Sequence, residues 1–212
     1  MSWTLALTFI SDLDYGGAKL ANEIFNFSSN FVTQLLKIIT YMGNGGLVFI
    51  VIAVLLLLFK KTRLAGFMAL ISLLIGFILT NIILKNIVAR PRPFIDETSD
   101  FYVWWQQAGS IHVDGHSFPS GHATAAMAFS LPLFIVFNKK YSWLYLLIPL
   151  LMSFTRVYFM VHFTSDVIAG MLVGALAGIG AYFAARALQK ITFISKGLEL
   201  PSVMSVFVKK AK

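Results

Sequence analysis

The 212-residue chain contains no cysteine, which excludes disulfides, thiol nucleophiles and thiolate metal sites. Charge is almost as scarce: charged residues make up 12%, against 58% hydrophobic, and mean hydropathy is +0.80. A soluble domain of this composition would expose large apolar patches, so the chain is read as a membrane protein. The net charge is +8, but the basic residues are scattered between apolar runs rather than gathered on one face with interleaved aromatics, which excludes nucleic acid as a partner. Also missing are a Pro/Gly/Ser-rich linker, a low-complexity segment and an internal repeat, so residues 1–212 are read as one domain. The opening MSWTLALTFISDLDYGG has no cationic start and only a short apolar run. No cleavable signal peptide is expected, and the first span is expected to direct insertion.

What the chain does have is long apolar runs. A membrane-crossing helix needs about 20 mostly apolar residues, and runs of that kind cover residues 40–59, 64–88, 120–138, 142–161 and 166–185. The expected fold is therefore all-α, a polytopic membrane bundle of five transmembrane helices. Residues 17–39 mix Phe25, Phe27, Phe31, Leu35, Leu36, Ile38 and Ile39 with Asn, Ser, Glu23 and Lys37. That segment is expected as an amphipathic helix lying at the membrane interface. In the fifth span, Gly170, Gly174 and Gly178 are spaced for close helix contact.

Sidedness follows from the short loops, because Lys and Arg accumulate on the cytoplasmic face. Eleven cations fall on one side: Lys60, Lys61, Arg63, Lys139, Lys140, Arg186, Lys190, Lys196, Lys209, Lys210 and Lys212. With Glu199 the only acid there, that side carries +10; the other holds six cations and eight acids, a net of −2. Five spans then put the amino terminus outside and the carboxyl terminus in the cytoplasm.

With this topology, polar residues that look misplaced converge on the outer ends of three spans. Lys85 and Arg92 are seven apart, a spacing that puts both on one helix face, although Pro91 and Pro93 extend the chain from about Arg90. FPSGHATAA, residues 118–126, places Pro119, Ser120, Gly121 and His122 at the mouth of the third run. Arg156 closes the fourth span, His162 follows six residues on, and Asp166 opens the fifth.

Three cations from separate elements suit a dianionic phosphoryl group, since Arg offers a planar fork and Lys a point charge. Backbone N–H groups of Ser120 and Gly121 at a helix start add anion donors, and glycine allows close approach. His162 and Asp166 are four apart, so the carboxylate can hold one ring N–H and present the other nitrogen as a nucleophile. His122 beside them can protonate a departing oxygen as general acid. Singly, each residue has a plainer explanation: a snorkelling Lys85, Arg90, Arg92 or Arg156, an ordinary helix cap at Ser120, a structural histidine. Their convergence on one membrane face, under a topology chosen independently by charge, favours a joint site. His112 and His116 share the loop over 94–118 with Asp96, Glu97, Asp100 and Asp114, but their spacing matches no tight metal-ligand pattern, so no metal is expected. Trp104 and Trp105 are expected at the membrane interface.

These patches resemble the type 2 phosphatidic acid phosphatase (PAP2) superfamily. Its pattern is a Lys, six residues, Arg-Pro, then Pro-Ser-Gly-His, then Ser-Arg, five residues, His, three residues, Asp. The chain supplies Lys85, Arg92 and Pro93; Pro119, Ser120, Gly121 and His122; and Arg156, His162 and Asp166, within a motif-bearing core over 85–185. The resemblance implies that His162 is the nucleophile and His122 the leaving-group acid, and that neither metal nor cofactor is needed. Thr155 stands where the family usually has Ser and keeps the hydroxyl; members commonly have six spans against the five counted here.

The expected activity is removal of phosphate from a membrane lipid phosphate or diphosphate at the outer leaflet. Undecaprenyl diphosphate comes first among substrates, phosphatidic acid or phosphatidylglycerophosphate second. The rivals are a phosphotransferase that discharges the phosphohistidine to a lipid hydroxyl, and a non-enzymatic lipid or anion transporter. A transporter has no need of the His162 and Asp166 pair together with His122.

Overall fold

The computed structural model describes residues 3–137 and 140–202; Lys139, Lys209, Lys210 and Lys212 of the expected inner cation set lie outside them. Every regular element among the described residues is helical: α1 (Trp3–Phe27), α2 (Asn30–Met42), α3 (Leu47–Leu57), α4 (Arg63–Phe77), α5 (Lys85–Val88), α6 (Asp100–Gln107), α7 (Gly121–Phe137), α8 (Leu147–Tyr158), α9 (Thr164–Leu188) and α10 (Thr192–Glu199), with short 3₁₀ and π turns between some of them.

The amphipathic helix expected over 17–39 is instead divided between two helices. They separate at Ser28 and Ser29: Ser28 Oγ turns back to donate to the Phe25 carbonyl at 2.9 Å, and Ser29 is extended. Serine competes for backbone partners in this way and so favours helix ends. The first expected span, 40–59, is not one rod either. Helices α2 and α3 are bent by 52° across a Gly-Asn-Gly-Gly break, where Gly45 and Gly46 take φ of 61° and 68°.

Two stretches are long and apolar enough to cross a bilayer, Arg63–Ile95 and Thr164–Leu188, and the bent α2–α3 pair makes a third if taken as one span. The apolar helices over Gly121–Phe137 and Ser142–Tyr158 are shorter. Helix α4 widens into a π turn over Ile78–Leu84 before α5, and the helix stops at Val88 with Ala89 left-handed at φ 47°. Lys85 and Arg92 therefore do not share a helix face: Arg92 lies on extended chain beyond the stop.

Helices α4, α7 and α9 form the centre, interlocked through small residues such as Ala65, Ala69, Ala126, Ala128 and Ala177. The glycine ladder acts as expected, with Gly170, Gly174 and Gly178 facing Ser120, Thr124 and Leu131 of the α7 region. Helix α3 packs on α4, α8 on α7, and α1 and α2 on α8. Large apolar side chains point outward, among them Val51, Leu55, Leu172, Leu176 and Phe183, an exterior matched to lipid.

The loop over 94–118 is partly ordered by aromatics. Trp105 stacks on Phe94 at 4.8 Å and donates its Nε1–H to the Ile111 carbonyl at 2.9 Å, while Trp104 packs 5.7 Å from Tyr15 of α1. Both tryptophans are thus packed into the protein rather than resting only at a membrane surface.

Candidate active site

The three motif patches come together around one cavity of about 540 Å³. Lys85, Arg92, Gly121, His122, Arg156 and His162 line it, and so do the apolar side chains of Ile50, Leu70, Leu73, Leu74 and Phe77. The volume is in the range of small-molecule sites.

Arg92 is only 4% exposed, yet it is held by carbonyls rather than by a carboxylate. Its Nε donates to Gly115 at 2.9 Å, one terminal nitrogen to Val161 at 2.8 Å, and the other to Asp114 at 2.8 Å and His116 at 3.3 Å. The loop over 109–117 thus acts as a collar that aims the guanidinium. Arg156 is 2% exposed; a terminal nitrogen donates to Thr40 Oγ1 of α2, and its buried Nε has no partner. Among the described residues no carboxylate lies within ion-pair distance of Lys85, Arg92 or Arg156. Buried cations without counter-charge are costly unless a ligand supplies it.

His162 sits in the turn between α8 and α9, almost fully buried. Its Nε2 lies 3.4 Å from an Arg92 terminal nitrogen, and its Nδ1 lies 3.5 Å from Asp166 Oδ2. An arginine only donates, so Nε2 is the lone-pair nitrogen and the ring proton is on Nδ1, facing the carboxylate. Burial, and then the nearby Arg156 and Arg92 guanidinium groups, push the imidazole well below its ordinary pKa and keep it neutral. A neutral imidazole with its lone pair on Nε2, beside a row of cations, is suited to attack phosphorus.

Asp166 is fully buried and does not line the cavity; it stands behind His162. Its Oδ2 accepts from the Phe163 N–H at 2.9 Å, and its Oδ1 from Arg90 at 2.8 Å. His122, in the first turn of α7, places Nε2 3.1 Å from Asn44 Oδ1 in the α2–α3 break. Gly43 in the same break is required by that approach, since a Cβ there would lie 2.5 Å from His122 Cδ2.

Ser120 differs from expectation. Its N–H is already bonded to the Asp166 carbonyl at 3.0 Å, and its side chain, fully buried, does not form the cavity wall. The serine ties the start of α7 to the start of α9, and the amides that a helix start leaves without intrahelical partners are then those that follow, on Gly121 and His122. His112 is an exposed partner of Asp114 at 3.1 Å, and no cluster of metal-ligating side chains occurs among the described residues.

Sequence reasoning misses Asp14, Thr40 and Asn44, which touch Arg90, Arg156 and His122 from outside the motifs. It gives Arg90 itself only the role of a snorkelling anchor. Asp14 and the Gly-Asn-Gly-Gly break are visible as an acid in an apolar helix and as a turn signal, but neither points to a partner far away in sequence.

The chain matches the PAP2 superfamily over residues 65–190, a stretch that contains every motif residue named above. It belongs to that superfamily of membrane lipid phosphatases. It is similar to an undecaprenyl-diphosphatase of Sulfolobus acidocaldarius, 32% identical over 188 residues that cover 82% of this chain and 85% of that one. A lipid A 4'-phosphatase of Porphyromonas gingivalis is 33% identical over 127 residues, 58% of this chain and 53% of its own. The fold is shared with the crystal structure of a transmembrane PAP2 type phosphatidylglycerolphosphate phosphatase from Bacillus subtilis, at a TM-score of 0.63 and 21% identity, covering 86% of this chain and 89% of that one.

Proposed function

We propose that the chain, acting as one unit over residues 1–212 with five membrane spans, hydrolyses a lipid phosphate or diphosphate at the outer membrane face through a phosphohistidine. The observation that carries this is a set of cations, the buried Arg92 and Arg156 and the half-buried Lys85, without carboxylate partners and beside a histidine whose proton faces Asp166. A dianionic phosphoryl group supplies the missing charge, and the unpartnered Arg156 Nε supplies a donor for one of its oxygens.

In the first step His162 Nε2 attacks phosphorus; the N–P bond forms as the P–O bond to the lipid breaks. The electron pair leaves on that oxygen, which takes a proton from His122. Lys85, Arg92, Arg156 and the amides at Gly121 hold the equatorial oxygens, where charge is spread in the transition state. Asp166 offsets the positive charge that the imidazole gains. In the second step water, deprotonated by His122, attacks the phosphohistidine and releases inorganic phosphate.

The apolar wall of Ile50, Leu70, Leu73, Leu74 and Phe77 supports a lipid chain as the leaving group. Undecaprenyl diphosphate is favoured, supported by the similarity to the Sulfolobus undecaprenyl-diphosphatase, with phosphatidic acid or phosphatidylglycerophosphate next. The outer-face assignment, with the carboxyl terminus cytoplasmic, is supported by the charge asymmetry of the loops.

The test is release of inorganic phosphate by the purified protein from each of those three lipids, without an acceptor. The expected result is turnover of all three, with the highest kcat/KM on undecaprenyl diphosphate. Loss of phosphate from the donor lipid only when a lipid alcohol is added, with the phosphoryl group recovered on that alcohol and not as inorganic phosphate, would make the protein a phosphotransferase, and no loss of phosphate from any lipid would leave a transporter.

A further inference from the structure

Behind the cavity lies a chain of charges that the motifs do not contain. Arg90 uses both terminal nitrogens as a bridge: one donates to Asp166 Oδ1 at 2.8 Å and to Ser165 Oγ at 2.7 Å, the other to Asp14 Oδ2 at 2.6 Å. The guanidinium lies over the Phe163 ring, 3.8 Å from its centre. Asp14, on α1, is 3% exposed, and its Oδ1 accepts from the Ser165 N–H at 2.7 Å while its Oδ2 accepts from the Ser165 hydroxyl at 3.0 Å. Helix α1 reaches this position on a face of small residues, Gly17, Ala18 and Ala21. A Cβ on Gly17 would lie 2.1 Å from Thr164 Oγ1, so a larger residue there would require the Thr164 side chain or the helix to shift.

We infer that Arg90 and Asp14 are positioning residues for the His162 nucleophile, acting through Asp166. Asp166 has two oxygens with different duties: Oδ1 is held by Arg90, while Oδ2, held by the Phe163 amide, faces the imidazole Nδ1 at 3.5 Å. Arg90 fixes the rotation of the carboxylate, and Asp14 fixes Arg90. Removing either lets Asp166 turn, and with it the oxygen that keeps the ring proton off Nε2. Arg90 also offsets one of two buried carboxylates, so the set Asp14, Arg90 and Asp166 presents a single net negative charge to an imidazole that becomes cationic on phosphorylation. The segment carrying Asp14 lies outside residues 65–190, so α1 reaches the site from outside the matched family region.

This inference rests on His162 being the attacking residue, and the test separates the two claims. Full-length protein in detergent is mixed with ³²P-labelled phosphatidic acid and quenched on the millisecond scale, and phosphoenzyme formation, KM and thermal midpoint are read for wild type, Arg90→Ala, Arg90→Lys, Asp14→Ala and the Arg90→Ala/Asp14→Ala double variant. The expected loss in phosphorylation rate is about 100-fold for Arg90→Ala, the scale of a small misplacement of reacting groups, with KM changed less than about threefold. Arg90→Lys keeps the charge without the fork and recovers about tenfold of that loss. Asp14→Ala alone slows phosphorylation about tenfold, and the double variant is no slower than Arg90→Ala, because it is through Arg90 that Asp14 bears on the Asp166 carboxylate. A phosphorylation rate within about twofold of wild type in folded Asp14→Ala and Arg90→Lys overturns the inference, as does a loss confined to thermal midpoint, or single losses that multiply in the double variant. Absence of any phosphoenzyme in wild type would instead overturn the phosphohistidine reading.

Discussion

Gly174 is the point at which the two halves of the site are brought into register, and Gly174→Ala tests that packing. Helix α7 carries His122 and α9 carries Asp166, and the two meet along the glycine ladder. A Cβ at Gly174 would lie 2.5 Å from the Thr124 carbonyl oxygen, 2.8 Å from Met127 Cβ and 3.0 Å from the Ala128 nitrogen. Two of those atoms are backbone, so they cannot rotate away; the helices must separate by a good fraction of an ångström. Forcing extra volume into a close-packed contact typically costs about 1–3 kcal/mol, and in a protein of this size about 2–4 °C of Tm is lost per kcal/mol. The expected fall in thermal midpoint is therefore about 2–12 °C, measured by unfolding fluorescence in detergent, with kcat/KM reduced about tenfold or more as His122 moves away from Asn44 and the cavity. Gly180→Ala is the control: its Cβ would meet only Ile75 Cδ1 at 3.7 Å, an ordinary contact, and both quantities should stay within error of wild type. A midpoint for Gly174→Ala equal to that of Gly180→Ala would refute the close α7–α9 contact as described.

Three further outcomes follow from the site and the loops. Single cysteines at the exposed positions Gln107 and Lys140, in a chain with no native cysteine, should respond differently to an impermeant thiol reagent on intact cells: Gln107→Cys is labelled and Lys140→Cys is not, and the reverse pattern would move the site to the cytoplasmic face. Activity should survive excess EDTA, since Lys85, Arg92 and Arg156 supply the positive charge that a metal would otherwise bring; loss on chelation with recovery on adding Mg²⁺ would contradict this. His122→Ala should slow lipid phosphate turnover about 10²- to 10⁴-fold. The same variant should lose much less on p-nitrophenyl phosphate, whose leaving group needs no proton; equal losses on both substrates would contradict a general-acid role.

The membrane class and the long apolar helices are legible in the sequence because composition and run length are local properties. The PSGH turn and the His162 and Asp166 pair are legible for the same reason, since four-residue spacing at a helix start has few geometric outcomes. Helix boundaries fare worse where small polar residues intervene: nothing periodic announces that Ser28 and Ser29 separate one helix from the next, or that the Gly-Asn-Gly-Gly break introduces a bend of 52°. Spacing pairs Lys85 with Arg92 for the wrong reason, as both line the cavity although the helix stops at Val88. Ser120 illustrates a deeper limit. A backbone donor at a helix start looks free in sequence, and only the packed fold shows that the Asp166 carbonyl already occupies it. Contacts from α1 and α2, such as Asp14 on Arg90 and Thr40 on Arg156, join residues 76 and 116 positions apart, which no local pattern encodes.

Rapid-quench detection of an acid-labile phosphoenzyme in His162→Ala, beside wild type and Asp166→Asn, tests the central claim most directly. Wild type should accumulate the phosphoenzyme within its first turnover, Asp166→Asn should form it more slowly because the ring proton is no longer held on Nδ1, and His162→Ala should form none. A phosphoenzyme that still appears in His162→Ala at the wild-type rate would contradict attack by this histidine.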